Sequence, residues 1–148
     1  MPARFPTSVK SFTSKVDGVD TNAAGDLMNH RRGVDVRAKE ARQRGAVIGT
    51  CELAVAELFF GVENSATKDE NLPLLRRSLG GLKCWPLSRA ASQEFGRLAA
   101  LLKREGRAIG AIDILIAAIA MTLPNCVVVS RDKDMLEIPG LTVENWAS

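Results

Sequence analysis

The hydrophobic positions of this chain fall into short runs alternating with stretches of helical period. A strand is predicted over 16–20 and a helix over 23–30, broken by Gly33, with a second helix running on to Arg44. Ala46-Val47-Ile48 reads as a short buried strand after Gly45, and Thr50 as the cap of a helix over 51–64. Leu53, Ala56 and Phe60 mark the expected apolar side of that helix. A further helix is expected over 68–79, stopping at Gly80-Gly81, and a strand over 83–86. Ser88 is placed to cap a long helix reaching Glu105, with Phe95, Leu98 and Leu102 inward. Residues 111–122 form a strongly apolar helix ended by Pro124. Val127-Val128-Val129 is the clearest strand, followed by a helical turn near Asp132 and an edge strand over 141–144. Strands alternating with helices predict an α/β domain whose sheet is mainly parallel, and such sheets gather their sites at the carboxyl ends of the strands.

Residues 1–14 carry no period and read as a flexible leader, so 15–148 is expected to be a single domain. At 148 residues, 46% apolar and 25% charged, the chain suits one ordinary globular core. No apolar run reaches the roughly 18 residues that span a bilayer, and the first 15 residues lack a signal-peptide core. These features predict a soluble cytoplasmic protein without membrane partners.

Cys51, Cys84 and Cys126 are widely spaced with no CxxC pair, which predicts buried reduced thiols. His30 is the only histidine, so histidine-rich zinc chemistry is excluded. A bound metal must then rely mainly on oxygen, which points to Mg²⁺ or Mn²⁺. The net charge of +3 is too small to define a nucleic-acid binder. Arg31, Arg32, Arg37, Lys39, Arg42 and Arg44 lie in one 14-residue stretch, readable as a solvated helix face or as an RNA groove.

Three carboxylates sit where surface acids do not belong. Asp113 shares its helical face with Ile116, Ala117 and Ala120, and a buried carboxylate needs a cation or strong donors. The bland alternative is an acid favoured by the helix dipole in the first turn. Glu57 shares a face with Leu53, Ala54, Phe60 and Gly61, so it is expected to point inward, toward a site or an arginine. Asp20 ends the first strand and can equally be a helix N-cap. Asp132 follows the best strand in Ser130-Arg131-Asp132-Lys133-Asp134 and can be a turn residue or cap. Together, two strand ends and two inward helix positions can converge at one sheet edge. Carboxylates brought that close repel one another, and divalent cations relieve the repulsion and support two-metal phosphoryl chemistry.

The ordered segments Asp20-Thr21-Asn22, Ala56-Glu57-Leu58-Phe59-Phe60-Gly61, Gly110-Ala111-Ile112-Asp113-Ile114-Leu115 and Ser130-Arg131-Asp132-Lys133-Asp134-Met135 resemble the PIN-domain ribonucleases. Within them, the chain looks like the VapC-type toxins of bacterial toxin–antitoxin pairs. The resemblance implies a Rossmann-like three-layer sandwich, usually dimeric, with four or five short strands between helices. It implies RNA hydrolysis with Mg²⁺ or Mn²⁺ by in-line attack of water, leaving a 5′-phosphate and a 3′-hydroxyl. Asp20, Glu57 and Asp113 match the family's metal-binding acids, and the fourth acid matches Asp132 ahead of Asp134. Asn22 and Ser130 match polar positions that support the carboxylates, and Asp26 matches a position of outer contact. A cognate antitoxin is expected to lie across the acidic pocket, with Phe59 and Phe60 either facing it or belonging to the core. The sequence departs from the family where Asp17 and Gly18 interrupt the first strand, which predicts a weak or irregular strand, and in its longer leader. Two other classes remain to be weighed: an inactive PIN-like RNA-binding module, and a phosphoacceptor signalling domain. The second lacks the adjacent acids after strand one and the lysine after the last strand that such domains use.

Overall fold

In a computed structural model, residues 14–148 are described, and all but the last residue of the expected leader lie outside them. Five strands form one sheet in the order β3-β2-β1-β4-β5. They are β1 (Val16–Val19), β2 (Val47–Cys51), β3 (Lys83–Trp85), β4 (Cys126–Val129) and β5 (Val143–Glu144), and every pairing is parallel. Seven described helices connect them: α1 (Thr21–Met28), α2 (Val34–Gln43), α3 (Glu52–Glu63), α4 (Lys68–Leu79), α5 (Arg89–Arg104), α6 (Ala111–Met121) and α7 (Lys133–Leu136).

The expected α/β class is the observed one. Side chains alternate across the strands, so Val128 joins one core and Val129 the other. The first core packs the sheet against Leu98 and Leu102 of α5, Ile116 and Ala117 of α6, and Met135 of α7. The second packs Val19 and Ile48 against Ala23 and Ala24 of α1, Ala38 and Ala41 of α2, and Trp146. The chain builds outward from β1 through β2 to β3, then crosses back to place β4 on the other side of β1. That reversal opens a crevice beyond the carboxyl ends of β1 and β4.

Three expectations change. The first strand is regular, not weak: Asp17 pairs in register with Ile48 on one side and Val127 on the other. Its side chain is fully buried, and the charge is met by Lys15 Nζ at 3.1 Å from Oδ1. Lys15 also bridges to Glu144 of β5 at 3.0 Å, and Glu144 accepts from Trp146 Nε1 at 3.0 Å. Burial pushes the Asp17 carboxyl up, and the lysine pulls it back.

Thr50 does not cap a helix. The second strand runs on through Cys51, so the Thr50 hydroxyl instead donates to the Val19 carbonyl at 2.7 Å, joining the carboxyl ends of β1 and β2. The apolar side expected for α3 is also different. Ala54 faces the core, while Ala56 is exposed and Phe60 is 70% exposed, so the two phenylalanines are not both core. Ser88 does cap α5, accepting from the Ala91 amide at 3.1 Å. The cysteines are all free: Cys51 is buried, Cys84 and Cys126 half-buried, and burial pushes the latter two thiols up to about 12 and about 11.

Close approach of β2 to β3 depends on Gly49. A Cβ there would lie 2.5 Å from the Lys83 carbonyl oxygen and 2.7 Å from the Trp85 ring. Backbone cannot yield as a flexible side chain can. Gly49→Ala is therefore expected to destabilise the fold by about 1–3 kcal/mol, read as a lower urea midpoint; an unchanged midpoint would refute the packing described.

Candidate metal centre

The crevice between β1 and β4 receives one carboxylate from the end of each strand. Asp20 directly follows β1, is buried, and accepts from the Ala23 amide at 2.9 Å, so the N-cap role also holds. Its second oxygen accepts from Ser130 Oγ at 2.5 Å, and Ser130 in turn accepts from the Asp132 amide at 3.0 Å. One hydroxyl thus connects the two strand ends. Asp132 caps α7, accepting from the Asp134 amide at 2.9 Å, so its cap role and its place in the site coexist.

Asp113 enters from the first turn of α6, half-buried above Ile116 and Ala117. Asp113, Asp132 and Asp134 each offer an oxygen, and these atoms lie within 4.8 Å of one another. Asp132 and Asp134, the two alternatives for the fourth acid, both lie beside Asp113, because the short helix carries both. Asp20 and Glu57 stand around this group, close enough to act on Asp113 by charge.

Glu57 is not inward. It lies exposed on α3, with its Oε1 accepting from the Thr21 hydroxyl. The core-facing side of α3 is marked by Ala54, which leaves Glu57 facing α1 across the crevice. Asn22 is exposed on α1 and makes no side-chain hydrogen bond among the described residues; the adjacent Thr21 orients a carboxylate instead. Asp26 is buried and is held by Arg32 and Arg131 rather than by the acids. Thr21, Arg32 and Arg131 are thus participants that sequence reasoning missed. Thr21 had one available signal, its place directly after Asp20. For Asp26, Arg32 lies only six residues on, but beyond the end of its helix where no period predicts the contact, and Arg131 is distant in sequence.

The electrostatics follow from the crowding. Burial, then the charges of Asp132, Asp20, Glu57 and Asp134, push the Asp113 carboxyl up to about 6 from its ordinary 3.8. Burial also raises Asp20, while Ser130 and the Ala23 amide counter it. A group of oxygen donors, with no histidine or cysteine among them, suits a hard cation such as Mg²⁺ or Mn²⁺. The uncompensated repulsion at Asp113 is what such a cation relieves.

A parallel α/β sheet with carboxylates gathered at its switch point defines the class: a Rossmann-like domain with an acidic cluster at the carboxyl ends of its central strands. The chain belongs to the PIN-domain family, whose model matches residues 19–141. It is similar to the "Ribonuclease VapC2" of Rickettsia felis, 29% identical over 128 residues covering 86% of this chain and 96% of the relative. It is also similar to the "tRNA(fMet)-specific endonuclease VapC" of Shigella flexneri, 26% identical over 95 residues, 64% of this chain and 72% of that one. Among solved structures, VapBC2 from Rickettsia felis bound to a promoter DNA fragment superposes with a TM-score of 0.79 at 28% identity, covering 88% of this chain and 98% of that one. DNA-bound VapBC from Salmonella typhimurium gives 0.79 at 26%, with coverage of 91% and 100%. The five parallel strands and flanking helices are thus the PIN fold.

Because the folded state raises the Asp113 pKa, the associated stability is intact below about 4 and is lost as pH rises through about 6. In EDTA, Asp113→Asn is expected to raise the melting temperature most above about pH 7 and least near about pH 4. Equal melting temperatures for the two proteins at the higher pH would contradict the repulsion.

Proposed function

We propose that this chain is a metal-dependent endoribonuclease toxin of the VapC type, acting in the cytoplasm and held in check by a cognate antitoxin. The observation that carries this reading is the acidic centre itself: Asp113, Asp132 and Asp134 within 4.8 Å, with Asp20 and Glu57 beside them at the switch point. The VapC names of the relatives support the substrate class, and the VapBC complexes among the similar structures support an antitoxin partner. A homodimer is proposed on the family resemblance alone, to be read from molar mass in solution. Among the described residues no helix is long and apolar enough to cross a membrane.

Asp20, Glu57, Asp113 and Asp132, with Asp134, are the residues proposed to hold Mg²⁺ or Mn²⁺. When bound, such ions activate water and stabilise the leaving oxygen of a phosphodiester. The protein's part is to hold the carboxylates in place. Ser130 fixes the orientation of Asp20 and ties it to the Asp132 backbone. Thr21 restrains Glu57, which otherwise lies free on an exposed helix face. No histidine stands among these groups, so the proton leaves the attacking water by way of carboxylate or solvent.

The regular first strand supports the active reading over an inactive module, because Asp20 accepts two hydrogen bonds that fix it. Incubation of the purified protein with structured RNA and Mn²⁺ or Mg²⁺ tests the proposal. Cleavage is expected, with none in EDTA or in Asp113→Asn; activity persisting in both controls would refute it. Ser130→Ala is expected to reduce activity about 10–100-fold, the usual effect of removing a partner that orients a ligand. Full activity in that variant would remove Ser130 from the machinery.

A further inference from the structure

The acidic centre opens on one side into a groove of different character. It has a volume of about 460 Å³, within the range of ligand pockets, and is bounded by α1, α3 and the loop that follows α1. Glu57 and Thr21 stand at its acidic end, and Leu58 and Val62 supply apolar wall. Arg31, Arg32 and Arg131 supply positive charge.

Two of these arginines are held by one carboxylate. Asp26 is 3% exposed; its Oδ1 accepts from Arg32 Nη1 at 2.9 Å, and its Oδ2 lies 3.3 Å from Arg131 Nε. The arginine side chains themselves remain 43% and 39% exposed. A guanidinium carries five N–H donors in a rigid fork, so each keeps donors free for a ligand. The loop bearing Arg31 and Arg32 is tied at both ends. Arg31 donates its amide to the Asp26 carbonyl at 2.8 Å, and the Arg32 carbonyl accepts from the Ser148 amide at 2.9 Å. Three guanidiniums against Asp26 and Glu57 leave the groove net positive beside a net negative centre. The basic stretch noted in the sequence is thus divided: Arg37, Lys39 and Arg42 lie exposed on α2, while Arg31 and Arg32 turn to the groove.

We infer that this groove seats the sugar–phosphate backbone of the RNA strand next to the phosphate to be cut. Arg31, Arg32 and Arg131 contact the neighbouring phosphates, and Asp26 is a positioning residue that presets two of the forks. Arg131 lies between Ser130 and Asp132 in the chain, so a phosphate on it is adjacent to the acidic centre. A nucleotide chain offers phosphates that suit bidentate guanidinium forks, and ribose to Leu58 and Val62. This inference rests on the ribonuclease reading for the identity of the strand.

The test is fluorescence anisotropy of a labelled single-stranded RNA on the full chain carrying Asp113→Asn, in EDTA, across a salt series. Arg31→Gln and Arg131→Gln are each expected to weaken binding about tenfold and to flatten the log–log salt slope by about 0.7. In the active protein the same changes should raise KM more than they lower kcat, with Mn²⁺ affinity by calorimetry unchanged. Asp26→Asn should give the same KM-weighted loss, and the two arginine variants carry the test if it does not fold. Unchanged RNA affinity and slope in the Arg31→Gln, Arg131→Gln double variant would overturn the groove while cleavage by the parent leaves the nuclease reading intact. Tighter binding of an acidic peptide of equal charge would also overturn it. Salt-sensitive, arginine-dependent RNA binding by a parent that cleaves nothing would overturn the nuclease reading and leave the groove standing.

Discussion

The pairing of β1 with β4, closed at its carboxyl end by the hydrogen bond from Ser130 to Asp20, is the constraint on which the site depends. Parallel strands bring their carboxyl ends to the same edge of a sheet. Where connections reverse direction, the two helices that follow diverge and leave a crevice. Asp20 and Ser130 are the residues that leave the sheet at that point, one on each side. Their bond is buried, so it is not weakened by competing water, and it gives Asp20 a single orientation.

Everything acidic in the crevice is arranged against its own charge. The α6 helix brings Asp113 toward four other carboxylates, and burial together with their charges raises its pKa. The rest of the fold supplies the compensation: strong packing beneath α6 through Ile116, Ala117 and Ala120, and the capped turn that carries Asp132 and Asp134. A site under such strain is tolerated when a ligand removes it, and the metal proposed for this centre is a ligand of that kind. The arginines held by Asp26 are the counterpart at the other end of the crevice. There the protein pairs its charges internally, and the two arginines stay partly exposed.

Buried charge also explains where sequence reading and structure part. Asp17 in a strand interior signals an irregular strand if only propensity is considered. Lys15, just before the strand, makes the charge tolerable, and Glu144 from the far edge of the sheet holds Lys15 in place. The first is visible in the sequence, but nothing local says that Lys15 will turn to Asp17. The second depends on β5 arriving beside β4. Glu57 shows the reverse case. Its apolar helical neighbours suggested burial, yet they belong to a helix that lies at the rim of the crevice and leaves Phe60 in solvent.

The alternating pattern, the Ser88 cap and the misplaced Asp113 were therefore legible in the chain alone. Period and capping are local properties, so α4 over Lys68–Leu79 and the Ser88 cap could be read without knowing any neighbour. Asp113 was legible because its own helix surrounds it with apolar residues. What only the tertiary structure decided was which groups meet: Asp132 and Asp134 together with Asp113, Ser130 with Asp20, Thr21 with Glu57, and Asp26 with two arginines. These contacts join residues brought together by strand order and by the placement of helices around it. Strand order arises from how the whole chain buries its two cores, and no local stretch encodes it.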